Sequence, residues 1–153
     1  MLNLPRKTLY ALEAVVDIAY NARPDPVQSK DITRRQGIPH RYLEQVLQHL
    51  VRNGILRGVR GPRGGYRLAR ERRRITVADI VRLIDELDAR EEAEESEDTG
   101  GSDLGRLIVR PMLDEVQRAM VARLEAISIE DLCREADAAG VGKSTPDAAD
   151  FSI

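Results

Sequence analysis

Arg57-Gly58-Val59-Arg60-Gly61-Pro62-Arg63-Gly64-Gly65-Tyr66-Arg67-Leu68 is the stretch on which the reading of this chain turns. Three arginines fall within the seven residues from Arg57 to Arg63, spaced by glycines and one proline. Such a stretch cannot pack into a core. Gly and Pro make it the tip of a tight hairpin between short strands at 55–59 and 66–69. The arginines make that tip a cation.

Upstream, the periodicity predicts a helix over 8–22, with Leu9, Leu12, Val15, Val16 and Ala19 recurring at three- and four-residue spacing. Pro24 and Pro26 stop it. Ser29 suits the N-cap of a short helix over 30–36, and Gly37-Ile38-Pro39 allows a sharp turn. A second helix follows over 40–52, with Leu43, Val46, Leu47 and Leu50 facing inward. Its early turns carry His40, Arg41, Tyr42, Glu44 and Gln45, side chains able to bond base edges. Two helices joined by a tight turn and followed by a basic hairpin define a winged helix-turn-helix, a fold that holds DNA with its second helix in the major groove.

Downstream, 70–74 is a basic connector, and Thr76 caps a helix over 77–87 with Ile80, Leu83 and Ile84 inward. The composition then changes: Glu91, Glu92, Glu94, Glu95, Glu97 and Asp98 put six acids into eight residues. Segment 88–103 reads as an acidic, loosely ordered loop. A long helix over 104–127 carries Leu107, Ile108, Val109, Met112, Leu113, Val116, Met120, Val121, Leu124 and Ile127 over more than one face. So much apolar surface suits a helix packed on a partner subunit, and Pro111 should kink it or mark its true start. Ser128 caps a last helix over 129–138, and a polar tail follows. The organisation is a DNA-binding domain over 1–87, the acidic loop over 88–103, dimerisation and terminal helices over 104–139, and a flexible tail over 140–153. The fold class is mainly α with a small β-wing.

The net charge of -2 hides an asymmetry. Residues 1–84 hold 17 Lys/Arg against 7 Asp/Glu, a net of +10, whereas 85–153 hold 7 against 19, a net of -12. The basic half implies a polyanionic partner. The opening residues lack the apolar core of a secretion signal, no run approaches a membrane span, and one cysteine excludes an intramolecular disulfide. These features lead us to expect a soluble cytoplasmic protein. No nucleophile–base pair, metal-ligand set or phosphate loop argues for an enzyme. Residues 61–65 lie in a hairpin, not at the strand-to-helix turn of a dinucleotide site.

Four runs carry a family resemblance: Tyr10-Ala11-Leu12, Ile32-Thr33-Arg34-Arg35-Gln36-Gly37-Ile38, Tyr42-Leu43-Glu44-Gln45, and Val59-Arg60-Gly61-Pro62-Arg63-Gly64-Gly65-Tyr66. Together they resemble the winged-helix repressors typified by the iron–sulfur cluster regulator IscR, a family that also holds NsrR and CymR. The resemblance covers roughly 4–137. It implies a homodimeric, sequence-specific transcription regulator, a repressor, whose long helices cross at the dimer interface and whose two winged helices read a pseudo-palindrome. It implies that Arg60 enters the minor groove. Tyr42, Glu44 and Gln45 match recognition-helix positions, where a carboxylate accepts from cytosine N4 and discriminates against other edges. Arg63 stands where some members have Gly, and His40 and Arg41 replace smaller residues. The DNA-contacting set is therefore Lys7, His40, Arg41, Tyr42, Glu44, Gln45, Arg57, Arg60, Arg63 and Gly64.

Cluster-binding members carry three cysteines before the dimer helix. Here 94–104 has neither Cys nor His, so no iron–sulfur cluster and no metal site is expected. Carboxylates suit a hard cation, but the spacing forms no ordered motif. Two sensing routes remain. The first is the terminus Asp150-Phe151-Ser152-Ile153, an apolar side chain beside a free carboxylate on a flexible tether. It resembles the tail of serine acetyltransferase, whose terminal Ile enters the active site of cysteine synthase. It therefore implies docking into that enzyme under control of O-acetylserine, and regulation of cysteine metabolism. The alternative is direct sensing, by redox chemistry at Cys133 beside Arg134 or by a small ligand; Cys133 also reads as a small buried hydrophobe.

Overall fold

The computed structural model describes residues 4–22, 24–95 and 101–143. The elements in chain order are α1 (Arg6–Asn21), α2 (Ser29–Gln36), α3 (His40–Arg52), β1 (Leu56–Val59), β2 (Gly65–Leu68), a 3-10 turn (Arg72–Arg74), α4 (Val77–Glu95), a π-helical turn (Gly105–Val109), α5 (Arg110–Glu125) and α6 (Ile129–Ala138). The architecture is mainly α with a two-stranded antiparallel wing.

Helix α1 is the spine, and α3, α4 and α6 all pack against it. Its buried face matches the expected one at Val15 and Ala19 and departs from it elsewhere. Ala11, Ala14, Val15 and Ile18 are fully buried, while Leu9 is 44% exposed and Leu12 and Val16 only line the edge. Small alanines let neighbouring helices approach closely, so they take the centre of the face. Helix α3 follows its sequence reading: Leu43, Val46, Leu47 and Leu50 are fully buried.

The turn between α2 and α3 rests on Gly37, whose φ of 66° is the left-handed region glycine favours, and whose N–H donates to the Thr33 carbonyl at 2.9 Å. Ser29 is not the cap: it is the first residue of α2, and Gln28 holds the cap position without a side-chain bond. Below the turn, buried Asp17 accepts from Arg35 Nη2 at 2.7 Å, from Arg35 Nε at 2.9 Å and from Gln36 Nε2 at 2.8 Å, which ties α1 to the end of α2.

The strands pair in the register Leu56–Leu68 to Val59–Gly65. At the tip, Gly64 N–H donates to the Gly61 carbonyl at 2.9 Å. This closes a turn with Pro62 at its second position, where its fixed φ fits. Beyond the tip, Tyr66 exchanges backbone bonds of 2.7 and 3.0 Å with Val27, pinning the wing to the α1–α2 connection. Gly65 permits this, because a Cβ there would lie 2.4 Å from the Val27 carbonyl oxygen.

Two reciprocal caps anchor the other end. Thr76 Oγ1 accepts from Asp79 N–H at 3.1 Å while Asp79 accepts from Thr76 N–H at 3.0 Å. Ser128 and Asp131 repeat the pattern. The strand-like bridge between Thr76 and Ser128 holds the starts of α4 and α6 together.

The segment expected as an acidic loop over 88–103 is helical as far as Glu95. Helix α4 runs beyond Leu87 to Glu95, because Ala, Glu and Arg favour helix and because Asp88 and Glu91 find a cation in Lys7. Residues 96–100, including Glu97 and Asp98, lie outside the described residues. The expected long helix opens with the π turn, in which Arg110 N–H donates to the Gly105 carbonyl. Pro111 has no N–H to give the Leu107 carbonyl, and the wider turn accommodates that missing bond. None of the residues of α5 is buried. The helix leans on α4, where Arg82 pairs with Glu125.

Helix α6 returns Ile129 and Cys133 to the core. Left-handed Gly140 ends it, with Gly140 N–H on Asp137 and Val141 N–H on Ala136. Tyr20 hydroxyl lies 2.7 Å from the Val141 carbonyl and 3.0 Å from Asp137. The start of the expected tail is thus fixed to α1; Asp150, Phe151, Ser152 and Ile153 lie outside the described residues. No helix among the described residues is long and apolar enough to cross a membrane.

Candidate nucleic-acid interface

The core holds α3 by one face and leaves the other to solvent. His40, Arg41, Tyr42, Glu44, Gln45 and Gln48 are all exposed. Their spacing follows from the apolar stripe opposite: once Leu43, Val46, Leu47 and Leu50 point inward, the remaining positions point out. Tyr42 has two close neighbours, the Arg41 guanidinium 5.3 Å from its ring centroid and the Tyr10 ring at 6.2 Å. His40 Nε2 lies 3.6 Å from Glu44. On the inner face His49 Nε2 donates to the Leu83 carbonyl at 2.7 Å, locking α3 to α4.

The wing follows α3 directly. Arg57, Arg60 and Arg63 are exposed, and among the described residues none of them has an ion-pair partner. Several arginines elsewhere are matched, among them Arg35 with Asp17, Arg72 with Glu130 and Arg82 with Glu125. Three unmatched guanidiniums on a short hairpin form a concentrated positive potential.

Two of the expected contacts have other occupations. Gly64 is buried within the turn and its N–H is spent on Gly61, so what it brings to the site is the turn. A Cβ at Gly64 would lie 2.2 Å from the Val59 carbonyl oxygen. Lys7 is largely covered, its ammonium 3.0 Å from Asp88 and 2.9 Å from Glu91. Burial pulls that ammonium down, but the hydrogen bonds and charges of the two carboxylates outweigh it and hold the lysine above its ordinary value. Glu91 also accepts from Gln45 Nε2. Asp88 and Glu91 were read as part of an acidic loop and not as neighbours of the DNA face; their three-residue spacing on a continuing helix was the available signal.

Cys133 sits apart from this surface. It is 1% exposed, and burial pushes its thiol up, outweighing the Arg72 guanidinium that bonds to it. The cation beside it is Arg72, from the 3-10 turn, rather than the neighbouring Arg134, which pairs with Glu130.

A helix-turn-helix with a polar, solvent-facing second helix and an unmatched cationic wing is a winged-helix DNA-binding domain. Comparison with known proteins gives the class a family. Residues 4–135 match Rrf2, described as "Iron-dependent Transcriptional regulator". The transcriptional regulator IscR of Xenorhabdus nematophila is 35% identical over 133 residues, which cover 87% of this chain and 80% of that protein. Among solved structures, T. potens IscR superposes with a TM-score of 0.71 at 30% identity, covering 94% of both chains. CymR, the global cysteine regulator of B. subtilis, gives 0.66 at 25% identity, covering 88% of this chain and 98% of that one. The chain belongs to the Rrf2 family of transcriptional regulators, and its relatives are regulators, not enzymes.

Proposed function

We propose that this regulator is a homodimeric repressor that reads a pseudo-palindromic operator with α3 and its wing, and takes its signal from a protein partner. The observation that carries the DNA reading is the unmatched charge of Arg57, Arg60 and Arg63 beside the solvent-facing polar side of α3. Arg60 is assigned to the minor groove, where narrow tracts concentrate negative potential. Arg57 and Arg63 flank it on phosphates. Tyr42, Glu44 and Gln45 face base edges.

Dimerisation is supported by α5 together with the π turn and the residue before it. Leu104, Ile108, Met112, Val116 and Met120 recur every four residues and are 41–67% exposed, with Val109 and Leu113 beside them. A stripe this long and apolar calls for a cover, and a second copy of α5 supplies one of matching shape.

The proposed signal does not use an iron–sulfur cluster. Thiolates hold iron in such sites, and the chain's one cysteine lies in the core of α6, held in the protonated form by burial. The same burial argues against a redox switch at Cys133, since the thiolate is the reactive species. The run Asp150-Phe151-Ser152-Ile153 sets two apolar side chains beside a carboxylate, a combination that suits insertion into a pocket shaped for an amino-acid substrate. We assign that pocket to cysteine synthase, which would tie repression to O-acetylserine and sulfur status. Likeness to a cysteine regulator supports this assignment.

The test is fluorescence anisotropy of a labelled duplex from the gene's upstream region, with protein alone and with cysteine synthase added. The enzyme should change DNA affinity, O-acetylserine should reverse the change, and deletion of Ile153 should abolish it. Unchanged affinity with the enzyme present rejects the tail as the signal route.

A further inference from the structure

Where α1, α3 and α4 meet, one carboxylate holds two groups assigned to DNA. Glu91, in the last turns of α4, accepts from Lys7 Nζ at 2.9 Å through Oε2 and from Gln45 Nε2 through Oε1. Asp88, one turn earlier, takes the same ammonium at 3.0 Å. The Lys7 side chain is 13% exposed and that of Glu91 47%. Anionic oxygens that accept from a lysine and a side-chain amide do what phosphate oxygens do at a duplex. Two negative charges meet one positive, so the spot is net negative beside the recognition helix. The hydrogen bonds from Lys7 and Gln45 hold the Glu91 carboxyl below its ordinary value, so it stays ionised at neutral pH.

We propose that Glu91 limits DNA affinity: its carboxylate is a built-in phosphate mimic that occupies Lys7 and Gln45 and must release them before they can touch a duplex. This rests on the DNA-binding reading above. The restraint is carried by α4, and α4 is followed in the chain, after 96–109, by the exposed helix α5. A displacement of the last turns of α4 would free both groups together, which gives an event at the dimer interface a physical route to the DNA face.

The test uses the full-length protein, a duplex it selects from a random-sequence pool, and a scrambled duplex of equal length. Affinities are measured across a salt series for wild type, Glu91→Gln, Lys7→Ala and the double variant. Glu91→Gln keeps the shape and an acceptor for Gln45 but removes the negative charge that holds the Lys7 ammonium; Glu91→Ala and circular dichroism melts check that folding is intact. The proposal predicts that Glu91→Gln binds both duplexes about fivefold tighter, as expected for one charge at a protein surface. Its salt slope should steepen by about 0.9, one added phosphate contact. In the Lys7→Ala background, Glu91→Gln should give no gain. Unchanged or weaker binding by Glu91→Gln overturns the proposal while leaving the DNA reading intact. A gain that survives in the double variant overturns it too, because the effect is then long-range charge and not release of Lys7. A wild type that binds neither duplex overturns this proposal and the DNA reading together.

Discussion

Arg60 and Arg63 are exposed and lack ion-pair partners among the described residues, so their removal should leave the fold untouched and report on DNA alone. We expect Arg60→Ala to weaken duplex binding by ~1–3 kcal/mol and Arg63→Ala to flatten the salt slope by about 0.9. Thermal melts should not move. Gly65 predicts the reverse pattern. A Cβ there meets the Val27 carbonyl oxygen at 2.4 Å, so Gly65→Ala must break the Val27–Tyr66 bridge. It should lower stability by ~1–3 kcal/mol in urea denaturation, as a backbone clash does, and weaken DNA binding with it. The two glycines of Gly64-Gly65 were legible as turn residues, but not as residues excluded from larger side chains by two particular carbonyls. Lys7 shows a sharper limit. Its charge was readable; that Asp88 and Glu91 would cover it depended on α4 continuing past Leu87, a tertiary outcome.

The boundaries of α3 and α6 were readable in full, because an apolar stripe and a turn or cap signal coincide at each end. Helix α4 was not, since a run of glutamates reads equally as solvated loop or as helix with distant cations. The π turn before α5 had one signal, Pro111, which indicates a missing hydrogen bond without saying how the helix absorbs it. The paired caps give a test at this scale. Thr76→Ala and Ser128→Ala should each cost about 1 kcal/mol in urea denaturation. The double variant should depart from additivity, because the two residues share a backbone bridge. Backbone and side-chain bonds from Ser128 hold Asp131 below its ordinary value. That cap therefore stabilises the fold above the ordinary aspartate range and loses its contribution as pH falls through the lowered value. Ser128→Ala should make the acid side of the stability profile shallower.

At the scale of the molecule, an acidic, apolar-striped half is joined to a basic, DNA-facing half. The charge division was visible in composition alone, and so was the excess of apolar residues over 104–127. What covers α5 was not, because a single chain shows only that its stripe is bare. Leu113→Glu together with Val116→Glu should leave the winged helix folded, since both side chains are already half exposed. It should convert the protein to a monomer in sedimentation velocity and weaken operator binding at least tenfold by separating the half-sites. The most direct test of the account is the affinity of the purified protein for a duplex from its own upstream region, against a scrambled duplex, across a salt series and beside Arg60→Ala/Arg63→Ala. The account predicts tighter binding to the upstream duplex, a steep salt dependence, and loss of both in the double variant. Equal affinity for the two duplexes, or binding indifferent to the loss of both arginines, would contradict it.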